Sequence, residues 1–305
     1  MAIASASLAY RRSALMTATK VTTKPPSEAV LRARDDFKDF CVYMGKAPAK
    51  HMMEWHKELC TGEDSECLLG IGGPNTSILA PRGSAKSTVL GLFAAWMIGR
   101  HTAAGQMLRI LYIAYMVDIS RAKSATIKGI LNSPKYREIF PMVRLSKIKR
   151  SDEYWSIDYE FAGIDTAGEE AFTIACGGLK GAITSKRSQL VLIDDPIKSA
   201  SSINNPDIRR EMEQTWSNVI APTMFQGARA ICLGTRFHFD DIHATLFIPK
   251  NNWRQIIQKA LITDKDGRHR SYWPEFWSMK YLNKRKQEDR VAFAYQYLNT
   301  AVKTT

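Results

Sequence analysis

The chain has 305 residues, 45% of them hydrophobic, with 43 Lys and Arg against 30 Asp and Glu, a net charge of +13. This suffices for one large α/β domain with appendages, and no apolar run approaches the roughly 20 residues that a membrane-spanning helix needs. Five cysteines without a Cys-x-x-Cys pair argue against a disulfide framework or a zinc site, and the positive balance points to a polyanionic partner.

Residues 1–27 carry Arg11, Arg12, Lys20 and Lys24 and no acidic residue. They read as a flexible basic arm ending at Pro25-Pro26, a composition that organelle transit peptides share. Glu28 to Met44, with apolar Val30, Leu31, Phe37, Phe40 and Val42, predicts one helix that Gly45 ends in a left-handed cap. A second helical stretch covers Ala49 to Leu59. An aliphatic and β-branched run, Thr76-Ser77-Ile78-Leu79, precedes a Gly- and Ser-containing loop and an apolar helix from Val89 to Ile98. Next come a strand Ile110 to Tyr115 and a helix from about Ser120, its expected cap, to Leu131. Phe172 to Ala175 and Gln189 to Ile193 predict strands, Asp207 to Val219 a helix, and Ala228 to Leu233 and Trp253 to Ile257 two more strands. Alternating elements of this kind specify a mostly parallel sheet with helices on both faces.

The loop after the first strand, Ala80-Pro81-Arg82-Gly83-Ser84-Ala85-Lys86-Ser87-Thr88, has the strand–loop–helix setting of a phosphate-binding loop. Residues 81–88 would bind the triphosphate: backbone amides at the start of the helix would cradle the phosphates, Lys86 would neutralise them, and the Ser87 hydroxyl would hold Mg²⁺. Leu190-Val191-Leu192-Ile193-Asp194-Asp195 supplies the complement: Asp194 ends a buried strand and would hold the same ion, and Asp195 would face an attacking water. Together they point to a nucleoside triphosphate, ATP, with Mg²⁺. The loop departs from G-x-x-x-x-G-K-[ST], because Ala80 and Ala85 stand where glycines are usual. A left-handed backbone at Ala85 would cost roughly 1–2 kcal/mol. Alone, the Lys-Ser segment could be an ordinary basic turn before a helix.

A third segment, Gly234-Thr235-Arg236-Phe237-His238-Phe239-Asp240-Asp241, follows another strand and places Thr235 to sense the γ-phosphate. With these three segments, Gly181-x-x-x-x-Lys186-Arg187, Trp273-Pro274-Glu275 and Phe293-Ala294-Tyr295-Gln296-Tyr297-Leu298-Asn299, the chain resembles the large terminase subunits of tailed bacteriophages. The resemblance runs from about residue 50 to 300. It implies a P-loop ATPase core of the additional-strand class over 28–260, with a small C-terminal lid subdomain over 261–305. It implies a motor that moves double-stranded DNA into a procapsid in the host cytoplasm, as a homo-oligomeric ring on the portal protein, with a small terminase subunit and no membrane. By the same resemblance Thr235 couples hydrolysis to the lid, Arg82 touches the phosphates within one subunit, and Arg187 or Arg150 is a candidate for an arginine acting across subunits.

Two departures qualify the resemblance. The acidic pair is Asp-Asp where the family often has Asp-Glu, so the Asp195 carboxylate is set back by about 1–1.5 Å. The family commonly continues into a nuclease domain where this sequence stops; Asp240-Asp241 is not expected to replace it, since adjacent side chains on an extended segment point apart. The basic tail, Pro274 to Val302, reads equally as a lid or as an ordinary amphipathic helix. A helicase-like ATPase and a non-hydrolysing basic DNA-binding module are the alternatives in function.

Overall fold

The computed structural model describes residues 25–48, 52, 74–180 and 186–300. The expected basic arm over residues 1–24 and the helix expected over Ala49 to Leu59 lie outside the described residues, Met52 excepted.

The N-terminal region holds α1 (Glu28–Asp35) and α2 (Phe37–Tyr43) where one helix was expected. Asp36 breaks it: its backbone is extended at φ −122° and ψ 129°, and its carboxylate accepts the Asp39 amide at 2.8 Å, capping α2. Local carboxylate-to-amide bonding of this kind competes with helix continuation. Gly45 does end α2 in the left-handed region, with φ 74°.

From there β1 (Asn75–Leu79) runs through the loop into α3 (Lys86–Ala103), followed by β2 (Ile110–Ala114), α4 (Val117–Asn132) and α5 (Pro134–Ile139). Helix α4 begins three residues before Ser120, whose hydroxyl donates back to the Val117 carbonyl at 2.7 Å instead of capping. The antiparallel strands β3 (Leu145–Arg150) and β4 (Tyr154–Ile157) come next; neither was expected, β3 being half basic and β4 very short. Then follow β5 (Ile174–Gly178), β6 (Ser188–Asp194), α6 (Pro206–Thr215), β7 (Met224–Gly234), the short α7 (Ile242–Thr245) and β8 (Trp253–Ile257). The helix expected to reach Val219 is regular only to Thr215, and continues as a wider π-type turn over Trp216–Ile220.

Among the described residues the sheet has eight strands, in the order β3-β4-β5-β2-β6-β7-β1-β8. Strands β5, β2, β6, β7, β1 and β8 are mutually parallel, and the antiparallel β3–β4 pair closes one edge. Strand β7 lies between β1 and β6, so an extra strand separates the phosphate-loop strand from the Asp-Asp strand. Both faces are covered. Tyr112, Leu192 and Ile231 point to a core shared with α1, α2 and α3, while Ile113, Val191 and Cys232 point to one containing Trp216, Phe247 and Trp253. Such two-sided burial explains why the central strands read as continuous apolar runs. No helix among the described residues is long and apolar enough to cross a membrane.

The C-terminal region forms a third cluster around Ala260, Tyr272, Trp277, Leu282, Phe293 and Tyr297. It contains the hairpin β9 (Leu261–Thr263) and β10 (His269–Ser271), then α8 (Met279–Glu288) and α9 (Arg290–Gln296). The tail therefore buries its own apolar residues and is not one amphipathic helix laid on the sheet.

Candidate nucleotide-binding site

In an open parallel sheet the carboxyl ends of the strands form the crevice where ligands bind. Three adjacent carboxyl ends carry the expected residues here: β1 leads into 80–88, β6 ends in Asp194, and β7 leads into Thr235. Register fixes them side by side, with Leu79 opposite Gly234 and Asp194 opposite Leu233.

The loop has the shape its departure from the usual glycine pattern puts in question. Gly83 (φ 82°) and Ala85 (φ 59°, ψ 21°) are both left-handed, so Ala85 carries the strain that a glycine would not. The Ser84 amide donates to the Pro81 carbonyl at 3.2 Å, turning the chain into α3. Lys86, only 4% exposed, donates from Nζ to Thr235 Oγ1 at 2.8 Å and to the carbonyls of Ala80 and Pro81 at 3.3 Å. Thr235 Oγ1 in turn donates to the Ala80 carbonyl at 3.1 Å. Asp195 Oδ1 is 3.6 Å from Lys86 Nζ, and its carboxylate is about half exposed. Asp195 is itself left-handed, with φ 43°, while its amide still donates to the Leu233 carbonyl at 2.8 Å. The chain thus leaves β6 sharply at this residue.

Asp194 is buried between two donors: Ser87 Oγ at 2.9 Å and Tyr112 OH at 3.0 Å. Burial raises the Asp194 pKa above the usual carboxylate value, and the negative charge of Asp195 adds to the rise; Ser87, Lys123 and Tyr112 oppose it. Burial likewise lowers the Lys86 pKa, against Asp195 and Asp194, which raise it, and Arg82 lowers it further. Both shifts oppose the charged form, which a cation beside Asp194 or an anion beside Lys86 would favour. A hydroxyl and a carboxylate facing each other are oxygen donors of the kind Mg²⁺ takes, so Ser87 and Asp194 fit that ion. Beside them a cleft of about 220 Å³ lies between α3 and α4, lined by Ser87, Thr88, Gly91, Tyr112, Lys123 and Thr126.

Arg82 is exposed at the loop, and its amide donates to the Gln296 carbonyl at 2.9 Å, tying the loop to the end of α9. Trp277 lies behind Gly83: a β-carbon there would be 3.4 Å from Trp277 Cζ2. Arg187 is not in this chain's site. It immediately precedes β6, at the opposite end of that strand from Asp194, about 20 Å away, and lies 5.9 Å over the Phe225 ring. Arg150 is at the sheet edge, at the end of β3. Gly181 falls outside the described residues.

Several residues had no role at the site assigned from sequence, although Asp241 and Asn299 stand in segments that carry the resemblance. Tyr112 reads as one more apolar strand residue, yet its hydroxyl supports Asp194. Asn299, left-handed and buried, accepts the Arg236 amide through Oδ1 at 3.1 Å and donates through Nδ2 to the Gln258 carbonyl at 3.1 Å. Asp241 is buried, receives Arg236 Nε at 2.9 Å, and accepts the amides of Phe237 and His238 at 3.0 and 3.2 Å. Its carboxylate is occupied inside the fold, and among the described residues no group of three or more metal-ligating side chains exists.

No protein-family model and no curated protein sequence matches the chain. Solved structures do match its fold. The ATPase domain of the Thermus phage P74-26 large terminase, in a point-mutant form, aligns with 91% of this chain and 99% of that one, at a TM-score of 0.52 and 14% identity. The HK97 bacteriophage large terminase aligns with 89% of this chain at a TM-score of 0.52 and 12% identity. This chain spans 55% of the HK97 protein's length. The chain therefore has the P-loop fold of phage large-terminase ATPase domains.

Proposed function

We propose that this chain is the ATP-hydrolysing motor domain of a viral large terminase, acting on double-stranded DNA at a procapsid portal. The observation that carries the reading is the convergence on Lys86 of the loop carbonyls, Asp195 from the end of β6 and Thr235 from the end of β7. A buried ammonium held by two carbonyls, a hydroxyl and a carboxylate costs solvation, which triphosphate oxygens in the loop would restore.

In this reading the amides at the start of α3 and Lys86 bind the β- and γ-phosphates, and Arg82, exposed at the loop, approaches them from the same subunit. Ser87 and Asp194 would hold Mg²⁺, which supplies charge neutralisation on the phosphate oxygens. Tyr112 keeps the Asp194 carboxylate oriented. Asp195 orients the attacking water and accepts its proton as the new phosphorus–oxygen bond forms and the bond from the γ-phosphorus to the bridging oxygen breaks; ADP leaves with the electron pair, and Lys86 compensates the developing charge. Lys86 turning toward phosphate releases Thr235, so the end of β7 registers whether the γ-phosphate is present. From β7 the contacts continue through Arg236 and Asn299 to the C-terminal subdomain, in the lid position. Assembly as a ring with the portal and a small terminase subunit belongs to the same proposal, and an arginine acting across subunits would come from a neighbour.

The test is phosphate release from ATP in Mg²⁺, with and without linear duplex DNA. Turnover that duplex DNA alters supports the motor. A chain that binds no ATP in calorimetry contradicts it.

A further inference from the structure

Between residues 121 and 150 the sequence carries nine Lys and Arg against one acidic residue, Glu138. That segment folds as most of α4, all of α5 and the edge strand β3. It encloses a groove of about 810 Å³ lined by Lys128, Arg137, Arg144, Lys147, Lys149 and Arg150 among others, with no Asp or Glu among the lining residues. Glu138 is engaged elsewhere, accepting the Tyr43 hydroxyl.

The partners of these cations are mostly neutral. Lys128 pairs with Asp152 at 2.8 Å and also donates to the Arg150 and Ser151 carbonyls, pinning α4 to the β3–β4 turn. The other five make no ion pair among the described residues. Arg137 donates to Asn132 Oδ1 at 3.0 Å, Lys149 to the Ala171 carbonyl at 2.7 Å and Arg150 to the Ser146 carbonyl at 3.2 Å, while Arg144 lies 3.6 Å over the Phe161 ring. Neutral acceptors and a ring face hold the side chains in place without cancelling their charge. Lysines on an edge strand alone would suit protection against edge-to-edge pairing; here cations from two helices converge on the same groove.

From this arrangement we infer that the groove beside β3 is where the chain grips the phosphate backbone of duplex DNA, an inference that rests on the motor reading above. A row of uncompensated cations matches a row of phosphates, and the amides on the open edge of β3 are further donors of the kind that position a backbone. The groove is not the triphosphate site: β3 is four strand steps from β6, about 19 Å across the sheet. Helix α4 touches both, with Lys123 in the cleft beside Ser87 and Lys128 in the groove.

The test is fluorescence anisotropy of a short labelled duplex over a range of salt concentrations. It uses the full chain, the double variant Arg144→Gln with Lys147→Gln, and a control that removes equal charge at Lys265→Gln with Lys280→Gln. All four positions are exposed. The groove variant is expected to bind about tenfold more weakly near 0.1 M salt, with a salt slope shallower by about 2, and the control to bind as the parent does. Parent-like binding by the groove variant, equal weakening in both variants, or a parent that binds no duplex would overturn the assignment. A groove variant that changes self-association while still binding duplex would overturn it too, in favour of an interface between subunits. Phosphate release, measured separately, tests the ATPase reading whatever the outcome at the groove.

Discussion

Lys86 Nζ donates to Thr235 Oγ1 across 2.8 Å, joining the phosphate loop to the end of β7. Thr235→Val removes one acceptor from a buried ammonium, and a hydrogen bond to a charged group of this kind is worth about 1.5–3 kcal/mol. Thermal unfolding is expected to show that loss in the variant, with Thr235→Ser restoring most of it. Saturating Mg-ATP is expected to narrow the gap, because phosphate gives Lys86 other partners. A deficit unchanged by nucleotide would separate Lys86 from the phosphates.

Ala85 occupies a backbone region that a methyl group disfavours by about 1–2 kcal/mol, whereas glycine there adds about 0.5–1 kcal/mol of unfolded-state entropy. Ala85→Gly is therefore expected to stabilise the chain by about 0.5–1 kcal/mol in denaturant titration. A destabilised variant would mean that the Ala85 methyl makes contacts worth more than the strain.

His243 sits under the site, fully buried, with Nδ1 3.5 Å from Ser77 Oγ. Burial lowers its pKa to about 4, with Asp241 and Asp195 opposing and Arg236 and Lys86 assisting. Above pH 6.5 the imidazole is neutral in both folded and unfolded chains and contributes no pH dependence. As pH falls from 6.5 toward 4 the unfolded chain takes up a proton that the folded chain refuses, so stability drops, by up to about 3 kcal/mol. Asp194, with its raised pKa, works the other way, since its folded carboxyl takes up a proton first on acidification. Comparing the parent with His243→Gln by chemical denaturation at pH 7 and pH 4.5 isolates the imidazole. The parent is expected to lose more stability than the variant, and equal losses would show that His243 is not buried neutral.

Gly234 ends β7 directly against that imidazole. A β-carbon there would lie 2.4 Å from His243 Nε2, so Gly234→Ala is expected to cost about 1–3 kcal/mol through overpacking. Equilibrium unfolding measures this directly, and recovery in the double variant with His243→Ser would identify the clash as the cause.

The parts legible in the sequence were those where chemistry and periodicity coincide. The central strands announce themselves because burial on both faces makes them uniformly apolar, and Lys86, Ser87, Asp194, Asp195 and Thr235 each follow or end such a strand. The illegible parts depend on contacts between distant segments. Asp36 looks like any polar helix residue until its side chain caps α2. β3 and β4 are strands through pairing with each other and with β5, not through their own alternation. Tyr112 acts through its hydroxyl on a partner 82 residues away, and Asn299 through Oδ1 and Nδ2 on partners 63 and 41 residues away. Arg187, expected to act across subunits and not within one, shows the same point inside its own chain. Nearness to Asp194 in sequence along an extended strand is distance in space.

The central claim, that this site hydrolyses ATP with Asp195 as its base, is tested most directly by steady-state phosphate release from Mg-ATP by the parent and by Asp195→Ala, alongside nucleotide affinity for both. The expected result is a rate at least about 10²-fold lower in the variant with ATP still bound, in line with the roughly 10²–10⁴-fold that a positioned general base contributes. Equal turnover in the two proteins would contradict the claim.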